Sequence, residues 1–403
     1  MKGRADQGVK DETSGDQRGR TVNLEQLRET AEHLAREVVA PRAEQTDREA
    51  RWPEENLRAL QAERLAGLVV PQAAGGLGHG LVGLAHVCEI LGQACASTAL
   101  CFGMHCVGTA VIAARATADQ VERLLRPIAE GRHLTTLALS EPGTGIHFYL
   151  PQTRLERTGD GYRVTGTKTF VTNGGHADSY VISTAPTSAE DPGRFSCAVV
   201  HDGERGLRWE GEWEGLGMRG NSARSLVMDG LEVPRRDLLG EEGDEIWYVF
   251  NVVAPYFLIA MAGSYLGVAQ AALNEAIAHL TRRTYTHSGR RAADQPVVQH
   301  RVGELWAKID RTRQLIRDAA RRGDGGTADA LVALCSAKAE VAHCAVEVTD
   351  AAMTLAGGVA YRQEGPLHRH LRDARAAHVM SPTTDLLRSW AGRALLGLPL
   401  LSD

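Results

Sequence analysis

The sequence predicts a mainly helical α+β fold in which a β region separates two helical regions. From Asn23 to about Gly131, apolar residues recur every three or four positions, which is the period of an amphipathic helix. From about Leu134 to Pro234, short alternating segments end at glycine, aspartate or proline, which is typical of antiparallel strands. After Gly240 the helical period returns and continues to the C-terminal end.

Chain length and local composition give the domain limits. The 403 residues suffice for two or three domains at roughly 150 residues each. Residues 1–20 mix charged side chains with glycine and serine around no apolar centre, so they predict a disordered tail and no secretion signal. The predicted units are a tail over 1–21, a helical domain over 22–133, a β domain over 134–238 and a helical bundle over 239–403.

Helix limits in the first region follow from proline, glycine and threonine signals. The first helix is expected to end at Pro41, and the next begins at Pro53. Glycines across residues 69–80 predict a loop. The apolar run 81–114 predicts a buried pair of helices, and a Thr-x-x-Gln motif at Thr117 begins a further short helix.

The β region contains a hairpin signal and a glycine motif. Gly159-Asp160-Gly161 lies between two alternating segments and predicts a tight turn. A literal G-x-G-x-x-G occurs over residues 215–220, but the residues after it are typical of a strand. A dinucleotide site needs a helix there, so we do not expect NAD binding at this motif.

The C-terminal region predicts long helices. Two apolar stripes begin at Leu266 and Val302, a third long helix covers about 328–355, and a last one covers about 384–396. Gly357 and Gly358 end the third helix, because glycine tolerates the left-handed conformation common after a helix end.

Charge and hydropathy exclude two classes of partner. Lys+Arg 45 against Asp+Glu 50 gives a net charge of -5, which does not favour binding to nucleic acid. We identify no apolar run that approaches the roughly 18 to 20 residues of a membrane-spanning helix, so no membrane association is expected.

The seven cysteines are scattered and odd in number, which favours reduced thiols and a cytoplasmic location. Cys101, His105 and Cys106 lie close together in sequence. No second ligand cluster accompanies them, so we expect core packing there and no metal.

Several dispersed segments occur in one order along the chain. They are VPxxxGGLG from Val70, LALSEPGTG from Leu137, GDGYRVTGTKTFVTNGGHAD from Gly159, GLGMRGNSARSLVMDGLEVP from Gly215, RRTY from Arg282, LAGG ending at Gly358, and HRHLRDARAAHV from His368. Together they resemble the acyl-CoA dehydrogenase superfamily over about residues 22–400. This resemblance implies an N-terminal helical domain, a middle antiparallel β domain and a C-terminal four-helix bundle.

The resemblance also implies non-covalent FAD and a homo-oligomer, either a dimer or a tetramer. Leu139 and Ser140 would meet the flavin, and Phe170 and Thr172 match the aromatic-x-Thr that covers it. The remaining cofactor positions carried over from the family are Arg282 at the pyrophosphate of the neighbouring subunit, Tyr285 where phenylalanine is usual, Gln299, Gly357 and Gly358 at the adenosine end, and Thr383.

The chain departs from the family at its catalytic base. The family removes an α-proton from an acyl thioester with a glutamate a few residues after R-D-A, and Ser381 stands at that position here. A neutral hydroxyl has no useful basicity near pH 7. The alternative position on an earlier helix is Phe257, and Leu258 replaces the arginine that usually follows it. The chain is thus a divergent member that lacks the usual glutamate.

Three explanations stay open at this point. Another group could serve as the base, with Asp385, His147 and His105 as candidates. Alternatively the substrate is a β-keto acid whose loss of CO2 replaces proton removal, or the enzyme is a flavin monooxygenase. A non-catalytic FAD-binding relative of the DNA-damage-response type is a fourth possibility, which the acidic charge balance disfavours.

The sequence therefore predicts an FAD-dependent oxidoreductase that oxidises an acyl thioester or β-keto acyl substrate in a specialised biosynthetic pathway. The thioester would be carried by CoA or by a carrier protein. The electrons would pass to an electron-transfer partner or to O2.

Overall fold

The computed structural model describes residues 22–185, 196–244, 247–363 and 365–401. The predicted tail over 1–21 lies outside these residues. Within them, helices come first, two β-sheets follow, and long helices complete the chain. One continuous apolar core extends through all three regions. The predicted α+β class and its order are confirmed.

The N-terminal helices carry the expected start signals. They are α1 Leu24–Leu34, α2 Ala43–Arg48, α3 Glu54–Ala62, α4 Leu81–Ala94, α5 Ala96–Ala114, α6 Ala118–Gln120 and α7 Arg126–Ala129. Asn23 and Thr117 each accept a bond from the backbone N–H three residues on, and Gln26 and Gln120 return it. These reciprocal bonds satisfy donors that a helix end leaves free.

The prediction that the first helix ends at Pro41 was wrong. A π-turn over Ala35–Val39 and a 3-10 turn over Ala40–Arg42 connect α1 to α2 without a break. A proline lacks an N–H and is tolerated in the first turn of a helical segment, which is where Pro41 lies.

The pair α4 and α5 is buried as expected, but its length contradicts the sequence argument about membranes. Two helical stretches, Ala96–Ala114 and Val249–Arg282, are long and apolar enough to cross a bilayer by length and composition. Within them, 94% and 89% of the most apolar window is buried inside the protein. Our statement that no apolar run approaches this length was therefore wrong, and burial in the core accounts for both runs.

The β region forms two four-stranded sheets. Its strands are β1 Thr135–Ala138, β2 Arg154–Arg157, β3 Gly161–Val171, β4 Ser179–Thr184, β5 Ser196–His201, β6 Leu207–Glu210, β7 Arg224–Pro234 and β8 Leu238–Leu239. The sheet orders are β1-β4-β5-β8 and β2-β3-β7-β6. The predicted hairpin joins β2 to β3. One pair departs from the prediction of antiparallel pairing, because β1 lies parallel to β4.

Five longer helices complete the fold. They are α8 Ala254–Arg282, α9 Pro296–Asp324, α10 Ala330–Ala356, α11 Pro366–Val379 and α12 Thr384–Leu395. Helix α8 packs against both α4 and α10. At the crossing with α4, a Cβ on Gly92 would lie 2.3 Å from the Ser264 carbonyl oxygen. Only glycine permits this approach, so the first and last regions share one interface.

All seven cysteines are buried free thiols, as the sequence indicated. Burial raises the pKa of Cys88 and of Cys197 to about 12, so both stay protonated near neutrality. Among the described residues, no group of three or more His, Cys, Asp or Glu side chains could hold a metal ion.

Candidate functional site

A cluster of strained backbone marks the junction between the first helices and the sheets. Phe170, Asn173, Met218 and Ser222 all have positive φ angles between 49° and 62°, which non-glycine residues seldom adopt. They lie on two neighbouring segments, the end of β3 with the residues that follow it and the residues that precede β7. Such strain persists only where surrounding contacts enforce it, and it concentrates at functional sites.

Buried hydrogen bonds of Asn173 enforce that conformation. Its side-chain oxygen accepts from Trp52 Nε1 at 2.9 Å, and its Nδ2 donates to the Cys101 carbonyl at 3.0 Å. Its backbone N–H donates to the Asn221 carbonyl at 3.0 Å. One fully buried side chain thus joins an N-terminal loop, α5 and both strained segments.

The strained segment presents Phe170 to solvent. Phe170 is 69% exposed near the end of β3, although Val171 next to it is buried, and its ring lies edge-on to Trp213 at 6.4 Å. Next to it, the Thr169 N–H donates to the Ser140 carbonyl at 2.8 Å. The structure therefore brings the segment Leu139-Ser140 next to the end of β3, where Phe170 and Thr172 lie.

A buried ion pair fixes the segment after β1. Lys168 donates to Glu141 at 2.5 Å, to Ser183 Oγ at 3.1 Å and to the Leu139 carbonyl at 3.5 Å. Glu141 also accepts from Thr153 Oγ1 at 2.7 Å and from the Gln152 N–H at 2.6 Å. Burial alone would raise the pKa of Glu141, but the Lys168 charge and these hydrogen bonds outweigh it and lower that pKa.

The second group of predicted cofactor residues surrounds the end of α8. Arg282 is exposed and its Nε donates to the Ala278 carbonyl at 3.0 Å. The Tyr285 N–H donates to the Arg290 carbonyl, and Gln299 Nε2 donates to the Ala293 carbonyl. These bonds fold the segment between α8 and α9 into a compact turn with its cations outward.

Gly357 and Gly358 lie beside that turn. Gly357 has φ +72°, and a Cβ there would lie 3.7 Å from Arg283 Nη1. Apart from its two chain neighbours, no atom of the described residues lies within 4 Å of a Cβ at Gly358. The glycines therefore leave open backbone next to the arginines at the end of α8, which suits a bulky anionic ligand.

The third group is the short link between α11 and α12. The Ser381 hydroxyl oxygen is buried and has no hydrogen-bond partner among the described residues, and the Ser381–Pro382 peptide is cis. Thr383 Oγ1 accepts from the Leu386 N–H at 3.4 Å and begins α12. Asp385 is exposed in the first turn of that helix. Phe257, the alternative base position, is buried on α8.

Lys338 holds this link from α10. Its side chain is fully buried, and its Nζ donates to the carbonyls of Ala377, Met380 and Pro382 at 3.0, 3.0 and 2.8 Å. Burial lowers the pKa of Lys338 to about 7. No role for Lys338 was predicted, because a single lysine within a helical stretch forms no sequence pattern that would indicate one.

The two histidine candidates have different surroundings. His147 is exposed, with Nδ1 2.9 Å from the Tyr149 hydroxyl, in a loop that packs Phe148 against Trp390 of α12. His105 is fully buried, and its ring nitrogens contact the carbonyls of Ala66 and Thr135 at 2.9 and 3.1 Å. Burial lowers the pKa of His105, so a neutral structural ring fits better than the base we listed as a candidate.

The G-x-G-x-x-G motif packs the three regions together. A Cβ at Gly217 would lie 2.5 Å from the Arg372 carbonyl oxygen, and one at Gly220 would lie 2.4 Å from Thr46 Cγ2. A strand, β7, follows the motif as expected. Its glycines therefore serve close packing, with α11 on one side and the N-terminal helices on the other.

Polar clamps from α11 reinforce this packing. Arg372 forms a two-pronged ion pair with Asp47 and donates to the Leu216 carbonyl at 2.8 Å. The buried Asp373 accepts from the Met218 N–H at 2.6 Å. Helix α11 thus connects the strained segments to the link that carries Ser381.

Comparison with known proteins assigns this architecture. Three family models match: acyl-CoA dehydrogenase N-terminal domain over residues 21–132, middle domain over 136–231 and C-terminal domain over 254–396. Cyclohex-1-ene-1-carbonyl-CoA dehydrogenase of Geobacter metallireducens is 32% identical over 364 residues, covering 90% of this chain and 95% of that protein. The chain belongs to the acyl-CoA dehydrogenase family.

Solved structures share the fold. Butyryl-CoA dehydrogenase from Megasphaera elsdenii superposes with a TM-score of 0.87 at 25% identity, covering 93% of this chain and 98% of that one. A prolyl acyl carrier protein oxidase, AnaB, superposes with a TM-score of 0.82 at 20% identity, covering 93% and 99%. The second likeness concerns the fold alone.

Proposed function

We propose that this protein is an FAD-dependent oxidoreductase that oxidises an acyl thioester or a β-keto acyl substrate. One contrast supports the proposal: the predicted flavin-facing residues Ser140, Phe170 and Thr172 lie on adjoining segments, whereas the family's acid–base position is the buried hydroxyl of Ser381. The chain thus retains groups that would hold a flavin and differs where the substrate would be deprotonated.

The residues present fit FAD. Phe170 offers a solvent-facing ring on a rigid, strained backbone, and Ser140 and Thr172 lie beside it. Arg282 and the open backbone at Gly357 and Gly358 would hold the diphosphate and adenosine end, because a guanidinium can donate two parallel bonds to phosphate. When bound, FAD supplies a two-electron hydride acceptor.

The chain's own residues restrict how a carbanion can form. Ser381 offers no basic atom, and Phe257 and Leu258 place no charge at the alternative position. Asp385 is exposed on α12, and His147 contacts Tyr149 in a separate loop. A strong general base must lie within hydrogen-bond reach of the proton it removes, and the turn that carries Ser381 provides none.

We therefore favour a substrate that generates its own carbanion. A β-keto acid breaks its bond to the carboxylate, releases CO2 and leaves the electron pair on the α-carbon as an enolate. This step needs no proton acceptor from the protein. A hydride can then leave the adjacent carbon for the flavin. A monooxygenase that uses the reduced flavin with O2 is the second candidate, supported by the same absence of a basic side chain at position 381.

For the thioester alternative, we also propose that a carrier protein holds the acyl group. Support comes from the altered substrate-side positions, which are Leu258, Ser381 and the loop Gly145-Ile146-His147. A tether to a carrier protein would reduce the need for contacts with CoA. Acyl-CoA and the matching acyl carrier protein can be compared as substrates, and tight, productive acyl-CoA binding would contradict the tether.

The function is tested by anaerobic titration of the FAD-loaded protein. A panel of simple acyl thioesters and of β-keto acids with a free carboxylate is added while the oxidised flavin band is followed. We expect the β-keto compounds to bleach it with release of CO2. Bleaching by simple thioesters alone would show ordinary dehydrogenation and an undiscovered base. Protein that neither contains nor takes up FAD would overturn the proposal entirely.

A further inference from the structure

A buried ammonium group lies behind the turn that carries Ser381. Lys338 is in the middle of α10, its side chain is fully buried, and its neighbours on the helix are apolar, among them Leu334, Ala337 and Val341. Among the described residues no carboxylate lies within ion-pair distance of it. An unpaired buried charge is costly, so an apolar side chain would serve the bundle better if packing were the only need.

The three hydrogen bonds of Lys338 explain its presence. An ammonium has three N–H donors and no acceptor, and each donor reaches a main-chain carbonyl, those of Ala377, Met380 and Pro382. The first belongs to the last turn of α11, where carbonyls lack helical partners and carry partial negative charge. The other two belong to the residues on either side of Ser381.

A second buried contact reaches the same turn. The Tyr265 hydroxyl on α8 donates to Met380 Sδ at 3.5 Å. Thr383 then begins α12 directly after the turn. The backbone on both sides of Ser381 is therefore fixed from α10, α8 and α12, with Lys338 supplying three of the bonds.

We infer that Lys338 is a positioning residue. It fixes the backbone of the turn Met380–Pro382, and this turn contacts the substrate and orients its reacting carbons. The inference rests on the proposed function, since that function places the turn at the substrate. It concerns the backbone of the turn, so it does not require chemistry from the Ser381 hydroxyl. Loss of the clamp should misplace the substrate without removing a reacting group.

The test compares Lys338→Met with Lys308→Met, both in FAD-loaded protein. Lys308 on α9 is a matched control, because it is a lysine of the same bundle that pairs with Glu347 on α10 and contacts no residue of the turn. Hydrogen exchange is followed in peptides that cover residues 376–387. We expect exchange there to be faster by about tenfold or more in Lys338→Met and unchanged in Lys308→Met.

Flavin reduction separates positioning from general destabilisation. In Lys338→Met we expect the maximal reduction rate to fall by about 10- to 100-fold, while the half-saturating thioester concentration and the FAD content stay close to those of the parent. If Lys338→Met does not fold, Lys338→Gln, which keeps two N–H donors, is measured in the same way.

Two failures are distinguishable. If the parent protein binds FAD but neither thioesters nor β-keto acids reduce it, the proposed function fails. If the parent is reduced, and a Lys338 variant shows unchanged exchange and an unchanged rate, the inference alone is wrong. An equal effect of Lys308→Met on the turn would also overturn it.

Discussion

At the scale of single residues, Lys168 and Lys338 are both fully buried, but they differ in the groups to which they donate hydrogen bonds. Lys168 is neutralised by Glu141 while it holds the segment after β1. Lys338 donates only to carbonyls. Lys168 is thus one partner of an ion pair, and the loss of either partner would leave the other charge buried and unpaired. Lys338 has no counter-ion among the described residues and holds only main-chain carbonyls.

Breaking the Glu141–Lys168 pair should be costly. Glu141→Gln or Lys168→Met leaves one buried charge unpaired, so each should lower the free energy of unfolding by about 3–5 kcal/mol. The double variant should lose less than the sum, because both charges are gone. Denaturant unfolding measures all three, with the exposed pair Arg58–Glu54 as control at about 0–1 kcal/mol. Additive losses would refute the coupling.

The same pair gives stability a defined pH dependence. The pKa of Glu141 is lower in the folded protein than in the unfolded chain, so its contribution is present above the unfolded pKa. The contribution disappears as pH falls through the folded pKa. Glu141→Gln should remove this part of the acid sensitivity, which unfolding curves across the acidic range can check.

Position 381 gives the sharpest residue-scale test of the chemistry. Ser381→Ala should keep FAD content and change turnover by less than about threefold, because a neutral hydroxyl contributes little as a base. Ser381→Glu restores a carboxylate, so simple acyl thioesters should then reduce the flavin. Abolished turnover in Ser381→Ala, with FAD intact, would show that the hydroxyl takes part in the reaction.

At the scale of elements, glycines decide how closely α4 and α8 approach. Gly92 faces the Ser264 carbonyl, and Gly267 faces the Glu89 carbonyl, each at 2.3 Å from the place of a Cβ. Backbone cannot yield as a flexible side chain can. The crossing of these helices therefore depends on glycine from both sides.

Gly92→Ala should lower stability by about 1–3 kcal/mol through overpacking. Gly303→Ala is the matched control, because Gly303 lies in α9 and, outside its own helix backbone, no atom of the described residues lies within 4 Å of its Cβ position. Alanine there should be neutral or stabilise by up to about 1 kcal/mol. Thermal and denaturant unfolding of both variants would distinguish them, and equal effects would contradict the packing argument.

The elements themselves were largely predictable from the sequence, and the exceptions have physical causes. Apolar periodicity located α1, α8, α9 and α10, and the Thr-x-x-Gln motif located α6. Pro41 misled because a proline in the first turn of a segment does not break it. The parallel pairing of β1 with β4 was missed because alternation along a strand carries no information about the direction of its neighbour.

At the scale of the whole molecule, Asp373 joins α11 to the strained segments and makes folding pH-dependent. Burial raises the pKa of Asp373 to about 6. Between the unfolded pKa and this value the folded state binds the extra proton, so stability falls as pH rises, by up to about 3 kcal/mol. Asp373→Asn should flatten this slope, whereas the exposed Asp385→Asn should not. An unchanged slope in Asp373→Asn would refute the assignment.

Cofactor retention tests the largest feature carried over from the family. Arg282→Ala should lower the FAD content of the purified protein and weaken FAD rebinding by about tenfold or more, through loss of a charged contact to phosphate. Arg58→Ala removes another exposed arginine, which lies on α3 of the N-terminal region, and this variant should retain the flavin. Normal flavin content in Arg282→Ala would count against this cofactor site.

The candidate site was predictable only where the sequence carries a family pattern. Phe170 and Thr172 were expected from such segments, and the structure adds that strain presents the phenylalanine ring. Lys338 and Asn173 were not expected, because their partners are distant in sequence. Ala377 lies 39 positions from Lys338, and Cys101 lies 72 positions from Asn173. Local periodicity contains no trace of such distant partners.

Helix α8 also limits which regions of this chain can be exchanged for those of a relative. One and the same helix crosses α4 of the N-terminal region, through glycines, and packs on α10 of the C-terminal region. An exchange of the N-terminal part for that of a relative would replace one side of that crossing and leave the other. We therefore expect the three sequence regions to tolerate separate exchange poorly, because recombination at their borders would separate surfaces that fit each other.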